Sequence, residues 1–188
     1  MKNTVSVSQK EGKLGMMFYT LPMSEVLNLI ISGILLWICL EIVFSTEKIE
    51  QYRIWKYANA FLCIAAIGLI IKFTLWGRNP GTRELQPIPF DELMTMEDNE
   101  EAIRTMVMNV VLFLPFGLTL PYIFDHIKSK CWKWLLCILI GFLASAGVES
   151  IQYVFALGRA ETDDVICNTL GCALGVFAEV VAEGIKNR

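Results

Sequence analysis

The sequence predicts an all-α fold: a multi-span membrane helix bundle with about five transmembrane helices. Three observations lead there. Of the 188 residues, 55% are hydrophobic and 19% charged, where an ordinary soluble domain carries about 25% charged residues. The mean hydropathy is +0.52. The apolar residues are also gathered into blocks near the roughly 20 residues a helix needs to cross the hydrocarbon. A single integral membrane domain over residues 1–188 is expected, since little length remains for a second core.

The first block, 26–44, contains only Glu41 as a charge. It is too long for a signal-peptide core and has no small-residue cleavage site at its end, so it is expected to stay as a span. The second, 57–76, has Lys72 near its end, where a long stem lets the ammonium reach the interface. The third, 105–124, is uncharged. The fourth, 132–153, carries Glu149 near its end, and the fifth, 164–185, carries Glu179 and Glu183 late. Those two acids shorten its apolar core, which leaves open a partly interfacial fifth segment.

Residues 77–104 form the one long connection. Pro80, Gly81, Pro87 and Pro89 argue against a long helix in its first half. Ile88, Pro89 and Phe90 offer an apolar edge to the headgroup layer. The second half, 91–104, is expected to be a surface helix with a solvated acidic face. Five spans put the termini on opposite sides. Connections 45–56 and 125–133 each hold three Lys or Arg in few residues, which places them inside; Lys10 and Lys13 argue the other way. The chain is thus expected in the cell membrane, multi-pass, with the 77–104 side extracellular.

Alternation of the spans gathers the strongest polar groups on that same side. Asn109 lies one turn inside the third span. Glu149 and Gln152 end the fourth. Asp163, Asp164 and Asn168 open the fifth, and Arg159 precedes it. At 1.5 Å per residue, all fall within roughly 10 Å of one interface. Gly141, Ser145, Glu149 and Gln152 share one helical face; Asn168, Gly171, Gly175, Ala178 and Ala182 share another. Pro115 removes a helix hydrogen bond, and Gly117 lets another helix approach; Pro121 follows. Pro115, Gly117, Pro121, Gly171 and Gly175 are therefore read as structural, with a hinge at Pro115 as the alternative.

Charged groups entering a membrane helix raise a functional-site hypothesis. Glu149, Asp163 and Asp164 are the candidate catalytic carboxylates, one protonated and another ionised. Arg159, Asn109, Asn168 and Gln152 are the candidate binding groups, Arg159 pairing with Asp163 or Glu149 or holding an anion. Asp163 and Asp164 also suit a helix N-terminus. A purely structural polar knot is the competing reading.

Several classes are excluded or disfavoured. No basic stripe supports nucleic-acid binding. The six cysteines form no CxxC pair and read as small buried hydrophobes. The three carboxylates are possible magnesium ligands, but no spacing demands a metal, and no cofactor motif stands out. His126 lies at the far end of the third span. Glu25, Glu41, Glu179 and Glu183 show no joint geometry. A transporter ranks lowest, since the strong polar groups cluster on one side and no inverted repeat is visible.

The stretch Asn109-Val-Val-Leu-Phe-Leu-Pro115-Phe-Gly117 with Pro121, then Glu149-Ser-Ile-Gln152, Arg159, Asp163-Asp164-Val-Ile-Cys-Asn168-Thr169-Leu-Gly171 and Gly175 resembles the VanZ-like family, associated with teicoplanin resistance in Gram-positive bacteria. Pro87-Ile-Pro89-Phe90 is similar to the family's Pro-Phe element, with Gln86 where Asn is usual. The likeness covers about residues 75–178. It implies a membrane protein of the cell envelope, with membrane lipids and a lipid-linked cell-wall precursor or cell-wall enzymes as expected partners. It leaves catalysis, ligand and oligomeric state open.

Overall fold

The computed structural model describes residues 22–46, 49–78, 80–81, 83–95 and 100–186. Lys10 and Lys13, and Glu97 and Asp98 of the acidic run, lie outside the described residues. The helices are α1 (Met23–Thr46), α2 (Ile49–Thr74), the short α3 (Asp91–Thr95), α4 (Glu100–Thr119), α5 (Lys130–Phe155) and α6 (Thr162–Lys186). A 3-10 turn, Leu120–Tyr122, extends α4. Two strands, β1 (Glu84–Gln86) and β2 (Arg159–Glu161), complete the set. Five helices contain segments long and apolar enough to cross a membrane: Met23–Phe44, Tyr52–Thr74, Glu100–Tyr122, Lys130–Phe155 and Thr162–Ile185. The protein is an all-α, multi-pass membrane protein.

The chain forms two compact units, Met1–Leu36 and Trp37–Arg188. The site and the helices that frame it belong to the second.

Across 91–104 the described residues are helical, as α3 and the start of α4. Glu100 and Glu101 occupy the first turn of α4, where negative charge complements the unpaired N–H groups. The proline-rich half contains β1, which pairs in parallel with β2 in the register Glu84–Arg159, Leu85–Ala160 and Gln86–Glu161. Three-residue strands leave no periodic trace in a sequence. The fifth segment is one continuous helix, with no break before Glu179.

Glycines set how closely the helices approach. A Cβ on Gly171 would stand 2.1 Å from the Val110 carbonyl oxygen, one on Gly117 2.1 Å from the Cys172 carbonyl oxygen, and one on Gly175 2.5 Å from the Leu114 carbonyl oxygen. The α4 and α6 backbones therefore touch. Gly141 does the same for α5, where a Cβ would lie 2.5 Å from Cys172 Sγ. Around these contacts lies an apolar centre of Cys63, Phe113, Phe116, Cys137, Cys172 and Val176. Four cysteines are buried, while Cys39 and Cys131 are exposed free thiols. Pro115 sits in a continuous α4 on its exposed face. Pro121 is buried in the 3-10 turn, whose first positions suit a fixed φ and need no N–H donor.

Candidate functional site

The site is assembled by the way three helices end. The N–H groups of Leu75 and Trp76 both bond the Ile71 carbonyl at 3.0 Å, closing α2. Gly77 follows at φ 79°, a left-handed conformation that glycine adopts without a Cβ penalty, and the chain turns to present Arg78. Helix α5 ends at Ala156, at φ 54° and ψ 39°. Its last carbonyls receive donors from the α2 exit. The Gly81 N–H donates to Ala156 O at 2.7 Å, Arg83 Nη2 to Val154 O at 3.2 Å and Arg78 Nη1 to Leu157 O at 3.4 Å. Gly158, at φ 151°, leaves room for this arginine, because a Cβ there would lie 2.6 Å from Arg78 Nη1.

At the start of α6, the Thr162 hydroxyl donates to the carbonyls of Gln86 and Pro87 at 3.3 and 3.2 Å. Phe90 is held at φ 60°, which costs a non-glycine residue about 1–2 kcal/mol. Its N–H donates to Asp163 Oδ1 at 2.7 Å. Asp163 thus fixes the loop before α3.

Two more carboxylates lie at this end of the bundle. Glu149 is buried and accepts the Glu161 N–H at 3.1 Å. Asp164 accepts Asn109 Nδ2 at 2.5 Å. Asp164 acts electrostatically on Glu149, and Arg78, Asp163 and Arg159 act on Asp164. The arrangement puts two carboxylates at one end of the bundle, with the Arg78 guanidinium held on the Leu157 carbonyl at the same end.

The chain matches the VanZ/LLP1 family model over residues 18–182. The chain belongs to the VanZ/LLP1 family. Protein VanZ of Enterococcus faecium is 38% identical over 74 residues, which cover 39% of this chain and 42% of that protein's length. No solved structure matches the chain.

Within this VanZ/LLP1 chain the singled-out side chains separate into groups. Asn109, Glu149, Asp163 and Asp164 surround the junction of α4, α5 and α6. Gln152 turns to α2, its Nε2 donating to Thr74 O at 3.0 Å. Asn168 Nδ2 donates to Ser145 Oγ at 2.9 Å, joining α6 to α5. Both amides are buried, and their oxygens Gln152 Oε1 and Asn168 Oδ1 have no hydrogen-bond partner. Arg159 Nε pairs with Glu161 Oε1 at 3.1 Å, a partner the sequence did not suggest. Side chains two apart on a strand share a face, which brings these two together. Among the described residues, no group of three His, Cys, Asp or Glu side chains is placed to hold a metal ion.

Sequence reasoning missed Arg78, which counted only as one more loop cation. The Gly77-Arg78 step immediately after a span was the available signal. It also missed the opposite end of the bundle, and the expected gathering of strong polar groups on one side is corrected there. Buried Glu41 accepts the Trp55 indole N–H and the Tyr122 hydroxyl. Buried Glu179 accepts Lys133 Nζ at 2.8 Å and Trp134 Nε1 at 2.5 Å. Lys130 and Glu183 pair at 2.9 Å. Each of these three acids has its own side-chain partner. The apolar centre separates the two ends.

Proposed function

We propose that this chain is a cell-envelope membrane protein that binds the headgroup of a surface lipid or lipid-linked cell-wall precursor at the Glu149–Asp164 end, on the extracellular side. Its family and its likeness to Protein VanZ support a link to glycopeptide, specifically teicoplanin, susceptibility. One observation carries the binding reading: Glu149 and Asp164, on two different membrane helices, are buried or part-buried at the same end of the bundle, held by the Glu161 N–H and by Asn109 Nδ2, and Arg78 is anchored at that end on Leu157 O. Ionisable groups at membrane depth are costly and mark ligand or proton sites. In this reading Arg78 and Arg159 anchor an anionic group. Glu149 and Asp164 bind or exchange protons with the ligand's hydroxyl or amide groups, and Asn109 orients Asp164.

Native mass spectrometry of the purified protein tests it. Wild type is expected to retain a lipid-sized mass, and folded Glu149→Gln and Arg78→Ala variants are expected to lose it. Retention unchanged in both variants would sink the reading.

A second reading is favoured by a specific observation. Asp163, Gln152 and Asn168 are each committed to joining one segment to another. On that reading the protein is a non-enzymatic accessory or partner-binding factor, and the polar cluster holds the helices together. Unfolding of every cluster variant in the same experiment would favour it.

A further inference from the structure

The segment from β1 to α3 has a surface that the site does not use. Leu85, Ile88 and Met94 are 64%, 61% and 80% exposed, yet they lie outside the five spanning segments. Exposed apolar side chains on a span need no explanation, because lipid covers them. On a connection they need a partner.

The level of this segment is fixed at several points. β1 is hydrogen-bonded along β2, the three residues immediately before α6. The Thr162 hydroxyl and Asp163 carboxylate, in the first turn of α6, hold Gln86, Pro87 and Phe90. The segment therefore lies at the height where α6 enters the bilayer. Tyr153 and Phe155, at the end of α5, and Trp76, just past α2, are exposed at this same end of the bundle. Aromatic side chains of this kind gather at the headgroup level of membrane proteins. The apolar surface of the segment thus continues the lipid-facing surface of the spans, while the adjoining Arg78, Arg83 and Arg159 are the groups that remain among headgroups.

We infer that residues 84–94 form an interfacial flap whose Leu85, Ile88 and Met94 side chains insert into the acyl boundary of the bilayer. An apolar face buried a few ångströms below the headgroups, with charge above it, is the pattern of segments that lie in the interface plane. Pro87, Pro89 and the Phe90 turn keep the segment from continuing as a helix, and the β1–β2 pairing keeps it from lifting away. The inference does not depend on whether Glu149 and Asp164 bind a ligand.

Spin-label accessibility tests it. The full-length chain, with Cys39 and Cys131 replaced by serine, is labelled in turn at Leu85→Cys, Ile88→Cys, Met94→Cys and Glu84→Cys and reconstituted in phosphatidylcholine vesicles. Collisions with oxygen, which concentrates in lipid, are compared with collisions with a water-soluble nickel chelate. The oxygen-to-nickel ratio is expected to be several-fold higher at positions 85, 88 and 94 than at 84. The four positions keep the test open if one variant does not fold. Equal ratios at all folded positions, matching a water-exposed site, would overturn the flap.

Discussion

At one end of the Trp37–Arg188 unit, Glu179 sits between Lys133 Nζ and Trp134 Nε1, and Glu41 between the Trp55 indole and the Tyr122 hydroxyl. At the other, Glu149 rests on a backbone N–H and Asp164 on one side-chain amide. Both ends bury carboxylates, but the first closes them with side-chain donors in direct contact. Trp37 and Asn59 extend that closure, with the Trp37 indole donating to Asn59 Oδ1 at 3.3 Å and its ring edge-on to Tyr122 at 6.0 Å. Such a network is a brace, because each group has its partner and the rings fill the space around it. The cation nearest the Glu149 end, Arg78, is an exposed guanidinium whose hydrogen bond goes to a carbonyl. That arrangement can trade partners. Burial of an acid alone therefore does not separate structure from function; what satisfies the acid does.

The largest loss is expected at the brace. Lys133 and Glu179 are both about 5% exposed, and removing one member of a buried ion pair strands the other at a cost of about 3–5 kcal/mol. Glu179→Ala is expected to show that loss in reversible unfolding in mild detergent. The double variant Lys133→Met with Glu179→Leu is expected to recover most of it. If Glu179→Ala proves neutral, the end is not a brace and the contrast fails.

Gly171→Ala tests the frame common to both ends. Its Cβ would meet the Val110 backbone, so α4 and α6 must separate. Overpacking of this kind costs about 1–3 kcal/mol. The same unfolding measurement should place it below Glu179→Ala, and loss of bound lipid is expected as Asn109 moves off Asp164.

Glu149→Gln and Asp164→Asn sharpen the other side of the contrast. Each keeps its shape and an acceptor oxygen for the same donor, so the change is that of one hydrogen bond, about 1 kcal/mol. Retained lipid should fall sharply while unfolding shifts little. A loss of stability as large as that of Glu179→Ala would make this end a brace too.

Much of the frame was legible before any coordinates. Span length and alternation place Asn109, Glu149, Asp163 and Asp164 at one end, because consecutive antiparallel helices carry fixed positions to fixed sides. Helical phase likewise puts Gly171 and Gly175 on one face. The brace stayed hidden for a physical reason. Trp37, Trp55 and Tyr122 count as apolar in a hydropathy reading, although each carries a polar hydrogen that a buried Glu41 or Asn59 can use. Lys133 looked like a flanking positive charge. Arg78 and β1 depend on turns at Gly77 and Gly158 and on three-residue pairing, which periodicity does not encode.

The smallest effect concerns the hinge between frame and site. Ala156 ends α5 in the left-handed region, its N–H reaching the Gln152 and Tyr153 carbonyls. Glycine is the usual residue at such a position. Its extra freedom in the unfolded chain offsets part of the gain, so Ala156→Gly is expected to stabilise by about 0.5–1 kcal/mol. Because Gly81 bonds the Ala156 carbonyl and Arg78 the next one, relieving strain here should leave Arg78 in place. Unfolding should shift slightly upward with lipid retention unchanged. If retention instead changes, the strain at Ala156 helps to set the position of Arg78, and the two ends differ in backbone tension as well as in partners.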